Sequence, residues 1–313
     1  MDVSIIIVNW NTRCLLAQCL GSVAIEMSSR VRFEVIVVDN ASTDGSCEMV
    51  RREFPDVKLI VNSENRGFAA ANNQALAVAQ GRYVLLLNSD TIVLDRAIEK
   101  TIAFADRYLD TAVIGCRVLN QDRSLQSTCF MFPSLLNWFL HATYLYQLFP
   151  RSRFFGRERM TWWARNDVRE VDVVTGCYML VRRDAIDQVG PLDERFFMYA
   201  EETDWCLRFV AKGWKNRFTP EAEIIHLGGG SAPKLGSNRA RVSNRSFVRY
   251  MFKHWSRSRA IAGVIMLTLF YLLRLPLLVT KRMVWPGGED DRLLENHWAG
   301  LIDMLNYRRH LIS

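Results

Sequence analysis

Short apolar runs recur along the N-terminal part of the chain, and segments of helical length separate them. Four runs rich in β-branched and aliphatic residues are predicted strands: Val3–Val8, Glu34–Val38, Val57–Val61 and Tyr83–Leu87. Strands that alternate with helical segments favour βαβ units and a parallel sheet. The runs are almost continuously apolar, which is typical of strands covered by helices on both faces.

The polar and apolar spacing between these runs predicts helices. The first begins near Thr12, and Ala69–Gln80 combines strong helix formers with a following Gly81, which we interpret as a C-cap. Thr203–Lys212 is a further predicted helix, ended by Gly213.

The pattern loosens between about Ala112 and Arg183. Val171–Val174 and Tyr178–Val181 are predicted strands around a bend at Gly176. Residues 151–169 mix arginines with aromatic residues and show no period. We therefore predict a long functional loop there.

Ala260–Thr280 is the most hydrophobic segment, and Arg274 and Pro276 interrupt it. Fourteen uncharged residues precede Arg274, fewer than the roughly 20 that a membrane span needs. Basic residues flank the segment on both sides. We expect an interfacial or re-entrant segment held by anionic lipid, with a spanning helix or a buried core helix as alternatives.

The charge of the chain is concentrated in its C-terminal third. The 313 residues are 50% hydrophobic and 23% charged, as in a globular protein with a large core. Between Glu223 and Glu289 there is no acidic residue, yet eleven Lys and Arg fall there, and the whole chain carries +7. An anionic partner is therefore expected to meet this part of the chain.

The seven cysteines include no CxxC pair and their number is odd. This pattern implies neither a disulfide framework nor a zinc ribbon, and it favours a reducing compartment. The N-terminus lacks a positively charged region before its first apolar run, so we predict no signal peptide.

Polar residues follow three of the predicted strands: Asn9 and Asn11, then Asp39, then the triplet Asn88–Asp90. In open α/β sheets ligands bind at this carboxyl edge. Asp39 can accept from a nucleobase imide or a ribose hydroxyl, or it can cap the next helix. Asp90 is a hard oxygen ligand suited to Mg²⁺ or Mn²⁺, although a turn with a cap would also explain the triplet. The chain has neither GxGxxG after its first strand nor GxxxxGK[ST], which disfavours dinucleotide and P-loop sites.

A second group of polar residues lies in the C-terminal half. Glu201, Glu202 and Asp204 follow Phe196–Tyr199, which should be largely buried. A carboxylate beside such a wall has a raised pKa, as a general base needs, although acids at a helix start also stabilise the helix dipole. His226 precedes three glycines that would let the backbone approach a ligand, or it is a structural histidine.

In combination these motifs resemble glycosyltransferase family 2, in its rhamnosyltransferase-like branch. The resemblance covers roughly Val3 to Ser231, and its motifs are Ile7-Val8-Asn9-Trp10-Asn11, Val38-Asp39-Asn40-Ala41-Ser42-Thr43-Asp44, Asn65-Arg66-Gly67-Phe68-Ala69 with Asn72-Asn73, Leu87-Asn88-Ser89-Asp90, Gly190-Pro191-Leu192-Asp193-Glu194 leading into Phe196–Asp204, and His226. It implies an inverting enzyme with the GT-A fold, a Rossmann-like, mostly parallel α/β sheet flanked by helices.

By that resemblance Asp39 contacts the nucleobase, with Asn9 and Arg66 nearby, while Asp90 is the last acid of the DxD motif and His226 joins it on a Mg²⁺ or Mn²⁺ ion. The remaining residues predicted on the donor side are Asn11, Asn88 and Ser89, and those predicted on the acceptor side are Trp163, Gly176 and Tyr199.

Two positions depart from the family pattern. Asn88 replaces the first acid of DxD and is a weaker metal ligand. Many relatives have Glu-Asp where this chain has Glu201-Glu202. We assign the base to Glu202, and Glu201 or Asp204 stay as alternatives.

These expectations define a hypothesis for the whole chain. Residues 1–235 would form the glycosyltransferase domain, with a nucleotide-binding half (1–111) and an acceptor-binding half (112–235). Residues 236–313 would be a basic, helical, membrane-associating extension. The enzyme would move a sugar, with L-rhamnose from dTDP-rhamnose as the best guess, to a lipid-linked saccharide. It would act in cell-surface polysaccharide (lipopolysaccharide) synthesis at the cytoplasmic face of a bacterial inner membrane.

Two other functions fit the sequence less well. A sugar-phosphate nucleotidyltransferase needs a glycine-rich first loop, and Val8–Arg13 contains no glycine. A nucleic-acid-binding protein would use the basic, aromatic stretch Arg239–Arg259, but it would not need Asp90 or the apolar segment beside that stretch. We therefore expect no nucleic-acid partner.

Overall fold

The computed structural model describes residues 1–28, 30–228, 238–284 and 289–307, with the side chains of residues 281, 284 and 289–292 left out. Its strands are β1 (Val3–Asn9), β2 (Phe33–Asn40), β3 (Lys58–Asn62), β4 (Tyr83–Asn88), β5 (Thr91–Val93), β6 (Thr111–Leu119), β7 (Leu125–Gln126), β8 (Cys129–Phe130), β9 (Arg169–Glu170), β10 (Val173–Val174), β11 (Tyr178–Arg182) and β12 (Lys215–His226). Its helices are α1 (Arg13–Glu26), α2 (Ser46–Glu53), α3 (Gly67–Leu76), α4 (Ala97–Arg107), α5 (Leu135–Ala142), α6 (Leu145–Leu148), α7 (Arg183–Val189), α8 (Glu201–Ala211), α9 (Asn238–His254), α10 (Arg257–Val284) and α11 (Glu289–Leu305).

A large mixed sheet, mostly parallel in its N-terminal half, organises the protein. Its order is β3-β2-β1-β4-β11-β6-β12-β5, with β7 beside β6 and β9 beside β12. The first four strands are parallel, and their register puts Asn9 beside Asp39 and Val8 beside Asn88. The order reverses at β1, which is where open α/β sheets form their ligand crevice. The polar strand ends therefore lie at one edge of the sheet.

The four predicted N-terminal strands are confirmed to within about two residues. Ile5, Ile7, Val37 and Leu85 lie in one hydrophobic cluster, and each is fully buried. Because helices cover the strands, the apolar runs continue without a polar alternate position.

The predicted helix Ala69–Gln80 is partly wrong, because α3 ends at Leu76. The backbone N–H groups of Gln80 and Gly81 donate to Ser4 Oγ at 3.1 and 2.8 Å instead of continuing the helix. Gly81 is also not a C-cap. A Cβ there would lie 2.4 Å from the Ser4 nitrogen, so the residue is small because two backbone segments meet.

The long strands β6 and β12 were not predicted. They pair in parallel, but the register shifts at Lys215/Asn216 and again between Thr219 and Glu223. Pro220 lies within the second shift, where a residue without an N–H is tolerated. Two irregularities in twelve residues destroy the alternation by which a strand is recognised.

The chain forms two compact units. The sheet unit comprises Met1–Met131, Trp163–Phe197 and the segment from Glu201 through β12. The helical unit comprises Phe132–Trp162, Met198–Ala200 and the helices from α9 onward. The predicted domain boundary at 235/236 lies outside the described residues and stays a prediction.

The helical unit has its own core. Its buried members come from α5, α9, α10 and α11, and they are Trp138, Val248, Met251, Ala260, Val264, Leu267, Tyr271, Leu301 and Met304. An isolated apolar segment could not bury a core of this kind, so the C-terminal helices are held together by tertiary packing.

All seven cysteines are free, and Cys14 alone among them is exposed. This agrees with the prediction that the chain has no disulfide framework.

Candidate active site

Asp39, at the end of β2, is held by the neighbouring strand end. It is 1% exposed, and its Oδ1 accepts from Asn9 Nδ2 at 2.7 Å. Its Oδ2 accepts from the Ser42 backbone N–H at 2.8 Å. Asp39 does not cap α2, because Asp44 accepts from the first residue of that helix, Ser46, at 3.1 Å. The carboxylate is thus fixed at the carboxyl end of β2.

Asn11 and Ser89 tie the neighbouring loops together. Asn11 Oδ1 accepts from the Thr43 N–H at 2.7 Å, and its own N–H donates to Ser42 Oγ at 2.8 Å. Ser89 is 5% exposed and its hydroxyl lies 2.9 Å from Thr12 Oγ1. These contacts keep the ends of β1, β2 and β4 in one arrangement.

The loop before α3 contacts the segment that leads to α8. Phe68 N–H donates to the Phe197 carbonyl at 2.7 Å, and a Cβ on Gly67 would lie 2.3 Å from that same oxygen. Gly67 has φ +83°, a left-handed conformation that glycine adopts most easily. Arg66 is exposed beside it. The donor-side loop therefore fixes where the chain enters α8.

Asp90 and His226 lie side by side, as predicted. His226 Nε2 is 3.2 Å from Asp90 Oδ1 and 3.3 Å from Asn88 Nδ2. The antiparallel pairing of β5 with β12 puts Thr91 opposite His226, and Leu227 N–H donates to the Asp90 carbonyl at 2.9 Å. Gly229 and Gly230 of the glycine run lie outside the described residues.

This pair fits a divalent cation. Two ligands about 2.1 Å from one octahedral ion in adjacent positions stand about 3.0 Å apart, close to the 3.2 Å between Nε2 and Oδ1. Within the described residues no group of three His, Cys, Asp or Glu side chains forms a ligand set. Such an ion would therefore take its other ligands from phosphate oxygens and water, as Mg²⁺ does in phosphate-handling sites.

Glu201 and Glu202 open α8 with carboxyl oxygens that are buried. The Oε2 atoms of both have no hydrogen-bond partner among the described residues. Burial raises the pKa of Glu201 well above its usual range, and the charge of Glu202 raises it further. Burial also raises the pKa of Glu202, to about 6. At neutral pH Glu202 is thus the better proton acceptor of the two.

The apolar wall before these acids is less buried than predicted. Phe196 is fully buried, but Phe197 is 37% exposed.

Cys177 links the acids to Asp90. Burial is the main cause that raises the pKa of this thiol to about 11, and the charges of Asp90 and Glu202 each raise it further. The Cys177 carbonyl also accepts from the Asn88 N–H at 3.1 Å. Cys177, just before β11, therefore lies in the field of both carboxyl groups, and no sequence motif pointed to it beyond the bend beside it.

The contacts of Asp204 indicate a structural role rather than a catalytic one. It is fully buried, and its Oδ2 accepts from Arg208 Nε at 2.8 Å, one turn along α8. Arg208 also donates to the carbonyls of Val189 and Pro191, at 3.0 and 2.8 Å. A carboxylate held by a guanidinium favours its charged form and is a weak base. This disfavours Asp204 as the base.

The three residues predicted on the acceptor side differ in environment. Trp163 is 4% exposed, packs edge-on against Phe218 at 4.8 Å, and donates its indole N–H to Asp167. It offers little surface to an acceptor, which disfavours Trp163 as an acceptor-binding residue. Gly176 lies where a Cβ would come within 3.2 Å of the Phe68 ring. Tyr199 has φ +71° and a buried hydroxyl that lacks a hydrogen-bond partner among the described residues.

Comparison with known proteins agrees with this geometry. The sequence model described as Glycosyl transferase family 2 matches residues 4–190. An N-acetylglucosaminyl-diphospho-decaprenol L-rhamnosyltransferase of Mycobacterium tuberculosis is 29% identical over 61% of this chain and 66% of its own length. The O-antigen biosynthesis protein RfbC of Myxococcus xanthus is 26% identical over 71% of this chain and only 17% of its own length.

Two solved structures share the fold. The mannosyltransferase PcManGT from Pyrobaculum calidifontis, in complex with GDP-Man and Mn²⁺, superposes with a TM-score of 0.56 at 19% identity, covering 97% of this chain and 86% of its own. S. aureus TarS 1–349 in complex with UDP-GlcNAc gives 0.51 at 15% identity, covering 99% and 92%. The predicted GT-A fold class is confirmed by these likenesses.

Proposed function

The chain belongs to glycosyl transferase family 2, and from that premise we propose that it transfers a sugar from a nucleotide diphosphate sugar to a hydroxyl of a lipid-linked saccharide, with inversion at the anomeric carbon. The observations that carry the proposal are the cation-type donor pair of Asp90 and His226 at the carboxyl edge of the sheet, and Glu202, whose Oε2 is buried without a hydrogen-bond partner among the described residues.

The reaction would be a single displacement. The acceptor oxygen forms a bond to the anomeric carbon as the bond from that carbon to the diphosphate oxygen breaks, and the nucleoside diphosphate leaves with the electron pair. The hydroxyl proton passes to the Glu202 carboxylate, whose pKa near 6 leaves it ionised at neutral pH. No enzyme nucleophile is needed for a single step.

The Asp90–His226 pair would hold the divalent cation. When bound, Mg²⁺ or Mn²⁺ neutralises charge on the departing diphosphate as a Lewis acid. Asn88 would contribute from the same strand end. The complex of PcManGT with Mn²⁺ supports this choice of ion.

The nucleotide would lie over the carboxyl ends of β1 and β2. Asp39, fixed by Asn9, would accept from the nucleobase, and Arg66 would meet the donor from its exposed position. This keeps the predicted division, with residues 1–111 binding the nucleotide and 112–235 the acceptor. The name of the M. tuberculosis L-rhamnosyltransferase supports L-rhamnose as the sugar and a diphospho-lipid saccharide as the acceptor, and dTDP-rhamnose is the donor that we propose.

The helical unit would place the enzyme at a membrane. Residues Arg257–Thr280 of α10 form a helix long and apolar enough to cross a bilayer, with a mean hydropathy of 2.1. Only 28% of this stretch is buried inside the protein, which is low for the core helix of a soluble domain. Exposed apolar side chains occur on α10 and around α5 and α6, and they are Leu272, Leu273, Leu277, Phe139, Leu148, Phe149 and Phe154.

Arg274 favours a helix that lies at the bilayer surface over one that spans it. Its guanidinium is 7% exposed, donates to the His141 carbonyl at 2.8 Å, and stacks over the rings of Phe270 and Tyr144 at 3.6 and 3.9 Å. A spanning α10 would carry these α5–α6 partners to hydrocarbon depth, together with the turns that follow them, and irregular backbone is not tolerated there. Apolar insertion combined with the exposed cations Arg257, Arg259 and Arg282 would hold the enzyme to anionic lipid, at the cytoplasmic face.

The experiment that tests this function uses membranes containing the protein and a panel of radiolabelled nucleotide sugars, each with and without Mg²⁺ or Mn²⁺. We expect one donor to label the lipid fraction in a cation-dependent way. Membranes carrying the Glu202→Gln variant are the matched control. Labelling that is equal in the control membranes, or equal in excess chelator, would contradict the proposal.

A further inference from the structure

The end of the β6–β7 hairpin lies against His226, and nothing in the sequence motifs assigns it a role. We infer that Gln126 is a positioning residue that fixes the proton of His226 on Nδ1, so that Nε2 offers its lone pair beside Asp90. The inference rests on the proposed cation site and names a residue that serves it. The contact that carries it is His226 Nδ1 to Gln126 Oε1, at 2.7 Å.

The direction of each hydrogen bond follows from the turn that ends the hairpin. Asp122 is an anion whose pKa is lowered mainly by the hydroxyl of Ser124, so it can only accept. Ser124 Oγ lies 2.5 Å from Asp122 Oδ1 and must donate to it. Ser124 Oγ is then free to accept a hydrogen bond from Asn120 Nδ2, at 2.9 Å. The side-chain oxygen of Asn120 therefore points away from the turn.

The same logic orients Gln126. Its Nε2 donates to Asn120 Oδ1 at 2.7 Å. Gln126 Nε2 also lies 3.4 Å from the backbone carbonyl oxygen of His226, and a carbonyl oxygen can only accept. A flipped amide would set oxygen against oxygen at both contacts. Oε1 of Gln126 must consequently face the imidazole, and the imidazole nitrogen that faces it must carry a hydrogen.

The position of the proton on Nδ1 determines the state of the other ring nitrogen, Nε2. With the proton on Nδ1, the neutral ring presents a lone pair at Nε2, 3.2 Å from a carboxylate oxygen of Asp90. The neighbouring Asn88 Nδ2, at 3.3 Å, is a donor and is compatible with that lone pair. Two electron-rich atoms held this close favour a cation between them. Partners that fix the tautomer of a ligating histidine commonly set metal affinity.

The test is made on the full-length protein in detergent. Histidines labelled with ¹⁵N are read by long-range ¹H–¹⁵N spectra without metal, and the His226 signal is assigned by its loss in His226→Asn. Affinity for Mn²⁺ alone is then measured by calorimetry. We expect the wild type to carry the proton on Nδ1. Gln126→Leu should shift the tautomer and weaken Mn²⁺ binding about 10–100-fold.

Two further variants separate positioning from folding. Gln126→Glu keeps an acceptor for the Nδ1 proton and should retain the wild-type tautomer, while the loss of the amide that donates to Asn120 Oδ1 should lower its melting temperature. Gln121→Leu makes the same change as Gln126→Leu at an exposed position of the same hairpin, and should change neither readout. A wild-type proton on Nε2 would overturn the inference, as would a Gln126→Leu protein with unchanged tautomer and affinity. A wild type that has the expected tautomer but binds no Mn²⁺ would support the inference and refute the proposed cation site.

Discussion

Replacing Glu202 by glutamine tests the proposed chemistry most directly. The amide keeps the size of the side chain but cannot take the acceptor proton. General-base catalysis contributes about 10²–10⁴-fold to a rate, which corresponds to roughly 3–5 kcal/mol of transition-state stabilisation. We expect turnover to fall within that range while affinity for the nucleotide sugar stays the same.

The stability of the same variant should move the other way. The Glu202 pKa is raised in the folded state because the carboxyl is buried without a partner for Oε2. A raised pKa means that protonation stabilises the fold, and that this stability is lost as pH rises through about 6. Above that pH a neutral amide removes the cost of burying a charge. Glu202→Gln should therefore melt at the same or a higher temperature than the wild type at pH 8.

The pH profile of the wild type provides a second check. A base must be ionised, so turnover should fall as pH drops below about 6, whereas an ordinary glutamate would keep working to about 4.3. The assay is transfer of labelled sugar to a lipid-linked acceptor at saturating donor. Glu48→Gln on α2, an exposed carboxylate, is the matched control and should not alter the rate.

The Glu201→Gln variant tests which of the two adjacent acids is the base. Burial and the charge of Glu202 raise the pKa of Glu201 well above its usual range, which makes Glu201 the weaker candidate for an ionised base. Glu201→Gln should lose much less activity than Glu202→Gln. The reasoning is refuted if the losses are reversed, or if Glu202→Gln keeps turnover within a few-fold of the wild type.

Three other predictions follow from the structure. Asp90→Ala should abolish Mn²⁺ binding measured by calorimetry without changing the melting temperature by much, and retained binding would move the cation elsewhere. Gly67→Ala should lower the melting temperature and the activity together, because Gly67 has φ +83° and the new Cβ would lie 2.3 Å from a backbone carbonyl oxygen. The control is Gly21→Ala, at a helical position with nothing within 4 Å of the new Cβ. It should be neutral or stabilising by up to about 1 kcal/mol. Leu277→Ser, at a residue 61% exposed on α10, should reduce co-sedimentation with vesicles that contain anionic lipid, and the same change at Leu109, 71% exposed in the sheet unit, should not; equal losses would remove α10 from the membrane contact.

The N-terminal half of the fold could be predicted because its signals are local. Each strand from β1 to β4 contains a run of three or more consecutive apolar residues, and polar residues close the strand. Strand ends that share an edge bring Asn9 to Asp39 without any knowledge of distant segments. The predicted proximity of Asn9 and Asp39 required only the rule that the carboxyl ends of parallel strands share one edge of the sheet.

Local sequence signals say little where a residue's environment is set by distant parts of the chain. Trp163 lies in an arginine-rich stretch without a period, so it resembled a binding residue, yet it packs against Phe218 of β12. Arg165 in the same stretch is 1% exposed and donates to the Trp163 carbonyl. Nothing local shows that a charged residue enters the interior, since the carbonyl and ring that satisfy it are supplied by the folded loop.

His226 shows most clearly what sequence reasoning lacked. The histidine could be paired with Asp90 only through family resemblance, because β12 has no readable alternation and β5 is three residues long. The pairing of these two strands is what sets Nε2 beside Asp90, and Gln126, 100 residues away along the chain, sets which nitrogen bears the proton. A ligand pair assembled in this way depends on tertiary register. A one-residue slip of β12 against β5 would turn the imidazole to the opposite face of the sheet. β12 thus contains the register shifts that make it hard to predict. The same strand must pair with β5 in the correct register at its C-terminal end for the site to form.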